Sequence, residues 1–149
     1  MGAYEYAEFI DRLLNSCEYL DPRPATRSKI IIPKDNPRSL FWIDKITFRD
    51  GKILAVKEMA TFDGNGNFFE RNFKYNFREI DGSSLLFRID NHEETQSVKE
   101  PCHVHVGRED NIVTFPSSEG KDFQYVLHCI KKFYLKQPQE WDEEEDDDD

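Results

Sequence analysis

The chain has little that would tie it to an oxidising compartment or a membrane. Three cysteines, Cys17, Cys102 and Cys129, are scattered over 149 residues. Their odd number and wide spacing argue against a disulfide framework and for reduced thiols. No apolar run approaches the roughly 20 residues that a spanning helix needs. The start, Met-Gly-Ala-Tyr-Glu-Tyr, lacks the basic flank and apolar core of a signal peptide. A cytoplasmic protein without a membrane partner is therefore expected. Internal repeats are also missing, and most of the chain has no excess charge of one sign. The formal charge is -10, but nine of the 30 acids lie in Glu140 to Asp149, leaving 21 against 20 Lys and Arg. Residues 1–138 read as one near-neutral domain, long enough for a real core. Residues 139–149 read as a disordered acidic tail, either a solubilising extension or a mimic of nucleic acid that folds over a basic site.

Apolar material is plentiful, with twelve Phe and a 38% hydrophobic fraction, and its spacing predicts the elements. Ala7, Ile10, Leu13, Leu14 and Cys17 form an amphipathic helical stripe over Tyr4 to Cys17. Lys29 to Ile32 is a β-branched run stopped by Pro33, an edge strand or arm. Leu40 to Arg49, Lys52 to Phe62 and Phe68 to Arg78 read as strands. They are separated by Asp50-Gly51 and by Asp63-Gly-Asn-Gly66, which are strong hairpin signals. In the third strand Phe69, Arg71, Phe73, Tyr75 and Phe77 share the face expected to be buried. Asp81-Gly82 leads to a strand over Ser83 to Asp90; Pro101 to Gly107 and Ile112 to Phe115 are two more, the last after a Glu109-Asp-Asn111 turn. Ser117-Ser-Glu119 is the expected N-cap of a second amphipathic helix carrying Phe123, Val126, Leu127, Ile130 and Tyr134, with Lys131, Lys132 and Lys136 in its last turns and Pro138 as its stop. The architecture expected is α+β: an antiparallel meander of five to seven strands with an N-terminal and a C-terminal helix.

Titratable chemistry concentrates in Leu85 to Gly107. Alternation puts Arg88 and Asp90 on one face of their strand, and His103 and His105 on one face of theirs, about 7 Å apart. If the two strands pair, the four side chains converge at the end of the intervening loop, Asn91 to Glu100. Two imidazoles, with ordinary pKa near 6.5, beside a guanidinium suit metal-independent RNA cleavage: one group takes a 2′-hydroxyl proton, one protonates the leaving oxygen, and the cation meets the charge on phosphate. His103, His105, Arg88 and Asp90 are the catalytic candidates. Asn91, His92, Lys74 and Tyr75 are the substrate-binding candidates, although Tyr75 lies in an aromatic alternation that usually marks core. Register decides whether Lys74 or Arg71 approaches Arg88. His103-x-His105 is also the spacing of a strand-borne metal pair, with His92 or Asp90 to complete it. A solvated face with a weak Arg88-Asp90 surface pair is the plainest alternative. His128, inside the second helix, reads as structural or surface.

The segments Lys45-Ile-Thr-Phe-Arg-Asp-Gly-Lys-Ile-Leu, Phe73-Lys-Tyr75-Asn-Phe77, Leu86-Phe-Arg88-Ile-Asp90-Asn91 and Pro101-Cys-His103-Val-His105-Val-Gly107 together resemble the TumE-like toxin family over about Phe41 to Leu135. Ile89 stands where the family pattern has an aromatic, Cys102 where it has a histidine and Val104 where it has a lysine. His92-Glu93-Glu94 replaces a proline and paired histidines. The resemblance implies growth arrest through RNA or translation, with an antitoxin protein as partner and RNA or the ribosome as target. The leading expectation is a toxin-like endoribonuclease that needs no cofactor and no metal. The alternatives are a non-enzymatic binding module for protein or nucleic acid, and a metal-dependent hydrolase using His103 and His105.

Overall fold

A computed structural model describes residues 2–21, 29–80, 84–91, 96–107 and 111–135. Two compact units are formed, Met1–Glu119 and Gly120–Asp149. The first opens with α1 (Ala3–Ser16). Its buried residues are Ala3, Tyr6, Ile10 and Leu14, at the three- and four-residue spacing of one helical face. The buried stripe is thus rotated slightly from the expected one: Tyr6 enters the core, and Ala7 and Leu13 sit at its margin. Size explains the choice, because the Tyr6 ring fills the space against Phe62 and Phe68, at 5.9 and 4.9 Å between centroids.

The sheet comprises β1 (Ile30–Ile31), β2 (Ser39–Thr47), β3 (Ile53–Phe62), β4 (Phe68–Arg78), β5 (Leu85–Asp90), β6 (Gln96–Ser97), β7 (Cys102–Val106) and β8 (Ile112–Phe115). Its order is β1-β2-β3-β4-β5-β7-β8, with the two-residue β6 paired to β4. All pairings are antiparallel, so the expected α+β meander is the fold. The hairpins turn where glycine allows it: Gly51 between β2 and β3 has φ +93° and Gly66 between β3 and β4 has φ +79°, backbone that residues with a Cβ rarely adopt. The expected turns at 81–82 and 109–110 lie outside the described residues.

Alternation then builds one apolar face. Leu40, Trp42, Leu54, Val56, Phe73, Tyr75, Phe77, Phe87 and Ile89 are all buried, and each buried Phe or Ile contributes about 1.5–3 kcal/mol relative to leaving it exposed. Phe69 departs from expectation. Thr61 pairs with Glu70 but Phe62 pairs with Phe68, so β4 has an extra residue there, which is a β-bulge. Phe69 is left 59% exposed, and Phe68 takes its place against Phe62, at 4.8 Å.

The same core face carries a buried ionic cluster. Arg71 donates to Glu58 across 2.7 Å, Tyr75 donates its hydroxyl to the same carboxylate, and the Arg71 guanidinium lies 4.2 Å from the centre of the Phe73 ring. Burial works against the charge on Arg71, but Glu58, together with Tyr6 of α1 and Tyr75, outweighs it and holds the guanidinium more firmly protonated than usual. Burial, then the Glu58 charge, pushes the Tyr75 phenol well above its ordinary range.

The second unit holds α2 (Phe123–Phe133), with Phe123, Val126, Leu127 and Ile130 buried. Its N-cap is Asp122, whose carboxylate accepts from Tyr125 N at 3.1 Å, not the expected Ser117-Ser-Glu119. Ser118 instead donates its hydroxyl to the Glu100 carbonyl at 2.9 Å. Distance in sequence hid that competing acceptor. Lys131 and Lys132 occupy the last turn, as expected, favourably placed for the helix dipole. Lys136, Pro138 and the acidic tail lie outside the described residues.

Candidate functional site

The outer face of the sheet is polar where β3, β4, β5 and β7 run side by side. Cross-strand partners there are Lys57 with Lys74, Lys74 with Asp90 and Asp90 with His103; one row along, Asn76 faces Arg88 and Arg88 faces His105. Because directly opposite residues in an antiparallel pair share a face, Arg88, Asp90, His103 and His105 are gathered together. Lys74, not Arg71, is the cation on that face, since Arg71 is one of the core positions of β4.

Each side chain is held differently. The Arg88 Nε lies 2.9 Å from Asp90 Oδ2, and its Nη2 lies 3.0 Å from His105 Nε2. A guanidinium only donates, so His105 Nε2 is the acceptor and that ring carries its proton on Nδ1. His105 is only 8% exposed. The His103 Nδ1 sits 3.2 Å from Thr114 Oγ1, so Thr114 of β8 helps to set the orientation of that imidazole. Thr114 had no local signal in the sequence; only the pairing of His103 with Thr114 reveals it.

Asn91 does the work of a missing strand. β5 pairs with β4 only as far as Lys74, and β6 resumes at Arg71. Across the gap, Asn91 Oδ1 accepts from Phe73 N at 2.9 Å and its Nδ2 donates to Arg71 O at 2.7 Å, while its backbone N donates to Phe73 O at 3.3 Å. The side chain thereby satisfies buried backbone groups that would otherwise be costly, and it fixes the point where the chain leaves β5.

These residues surround an open groove of about 610 Å³, lined by Lys57, Asn72, Phe73, Lys74, Arg88, Asp90, Asn91 and His103. Four of the expected site residues with ionisable side chains, Lys74, Arg88, Asp90 and His103, line it. Asn91 reaches it too, though its amide is committed to β4. Tyr75 does not: it is fully buried on the opposite face with its hydroxyl on Glu58, as the alternation of β4 requires. His92 lies outside the described residues. Lys57 and Asn72 join the groove without having been expected, because only the pairing of β3 with β4 brings Lys57 beside Lys74. Cys102 points to the core, fully buried, its thiol 3.9 Å from the Ser117 carbonyl.

Among the described residues no three metal-binding side chains come together, so the His103 and His105 pair has no third ligand there. Nor, among them, is any helix long and apolar enough to cross a membrane. No curated protein and no solved structure is similar enough to match the chain. A family model described as toxin TumE matches residues 11–135, a span that takes in α1 from Asp11, the sheet, the groove and α2. The chain belongs to the TumE toxin family, and with it to the toxins of toxin–antitoxin modules, whose partner is an antitoxin.

Proposed function

We propose that this toxin acts on RNA, cutting it in the groove without a metal ion. The observation that carries the reading is the register of β5 with β7, which sets Asp90 opposite His103 and Arg88 opposite His105 beside two lysines. Phosphodiester cleavage by the neighbouring 2′-hydroxyl needs little more. His103, on the groove wall, takes the 2′-hydroxyl proton. The 2′-oxygen bonds to phosphorus, the bond to the 5′-oxygen breaks, and the imidazolium returns the proton to that oxygen. Arg88 and Lys74 meet the negative charge that builds on the phosphate.

In this reading the two histidines divide the labour unequally. His105 holds the Arg88 guanidinium with its Nε2 lone pair, which makes it a positioning residue, and Asp90 steadies the same guanidinium from the other side. Asn91 shapes the groove floor. Purified protein should therefore cut RNA in excess chelator. His103→Ala should lower the rate at least about 100-fold and relieve growth arrest, while changing folding stability by less than about 0.5 kcal/mol. Cleavage that persists in His103→Ala, or that stops with chelator alone, overturns the mechanism. RNA binding without cleavage in the unaltered protein would instead favour a non-enzymatic binding module.

A further inference from the structure

The groove is longer than the proposed chemistry requires. From Lys57 to His103 it crosses three strand-to-strand steps, about 14 Å at roughly 4.8 Å each, which exceeds the reach of one phosphate group. At its far end Lys57 and Lys74 face each other directly and both are exposed. Like charges placed opposite on a sheet repel, and among the described residues neither ammonium has a carboxylate within ion-pair distance. The nearest acid in register, Asp90 opposite Lys74, is drawn to Arg88 at 2.9 Å. A facing pair of lysines with no counter-ion among the described residues, opening on the same groove as Arg88 and His103, fits an anion supplied from outside.

We propose that Lys57 and Lys74 form a second phosphate subsite, so that an RNA strand lies across the sheet with one phosphate at Arg88 and His103 and a neighbouring one between the two lysines. The assignment rests on the RNA reading above and extends it to a substrate of at least two consecutive phosphates. It also gives Lys57, on β3, a role in binding. The strand runs perpendicular to β3, β4 and β5, and its backbone, not its bases, meets these lysines. Sequence preference is therefore not set at this end of the groove.

The test uses the full-length protein and a fluorescein-labelled single-stranded RNA pentamer with methylated 2′-hydroxyls, which binds but cannot be cut. Lys57→Ala should weaken binding about tenfold and flatten the plot of log affinity against log salt by about 0.7, the contribution of one phosphate contact on a single strand. Lys57→Arg should restore both. An affinity and a salt slope unchanged in Lys57→Ala overturn the subsite, as does a loss that Lys57→Arg does not repair. Lys57-dependent binding by a protein that cuts no unmodified RNA would keep the subsite and remove the cleavage reading. Cleavage with binding indifferent to Lys57 would do the reverse, and absence of RNA binding would remove both.

Discussion

The two faces of one sheet carry the same chemical pair under opposite conditions. On the core face Arg71 meets Glu58 at 2.7 Å with side chains 2% and 0% exposed; on the outer face Arg88 meets Asp90 at 2.9 Å with side chains 16% and 18% exposed. The inner pair sits between aromatic rings and shares a tyrosine hydroxyl, so neither charge can be taken from it without leaving the other stranded. Water reaches the outer pair, which opens on a groove and shares its guanidinium with a histidine. Distance alone does not separate a structural ion pair from one available to a ligand. Access to solvent does, because desolvation sets both the penalty for breaking the pair and the strength with which an incoming anion is felt.

The comparison breaks most sharply at Glu58. Glu58→Gln leaves the Arg71 cation buried without its counter-charge and should cost about 3–5 kcal/mol, seen as a lower urea midpoint at an unchanged slope. A midpoint close to that of the unaltered protein would erase the distinction between the faces.

Next in size is an alkaline effect confined to the inner face. The Tyr75 phenol is raised by burial and by Glu58, so above about pH 10 the unfolded chain releases a proton that the folded chain keeps. Stability from this group is complete below about pH 10 and falls by up to roughly 1.4 kcal/mol per pH unit as the pH rises further. Tyr75→Phe should remove that part of the slope, as measured by unfolding free energies between about pH 8 and about pH 11. Equal slopes in the two proteins would mean that the phenol titrates as a solvated one.

Smallest is the outer pair. Asp90→Asn should change stability by no more than about 1 kcal/mol, while loosening Arg88 enough to weaken growth arrest in cells. A loss as large as that of Glu58→Gln would make Arg88 and Asp90 a structural pair like the inner one.

Much of this arrangement is legible in the sequence. The limits of β4 and β8, the hairpins at Gly51 and Gly66, and the sharing of a face by Arg88 with Asp90 and by His103 with His105 all follow from period-two alternation and from glycine's freedom at positive φ. These are local rules that need only a few consecutive residues. The misses share a cause as well. Phe69 left the core because of a bulge defined by its partner strand, Ser118 was taken by a carbonyl eighteen residues earlier in the chain, and Tyr6 displaced Ala7 because of rings on β3 and β4. In each case a distant segment competed with the local preference and prevailed.

By itself the sequence determined which side chains share a face wherever a strand runs without a bulge, since alternation is a property of the regular extended backbone. Only the tertiary structure decided which strands lie beside which, and so that Lys57 would face Lys74, that Thr114 would bond to His103, that Arg88 would lean on His105, and that Glu58 would receive Arg71. Register between strands is set by the summed packing of the whole core, and a one-residue slip would have turned every one of these groups to the other side.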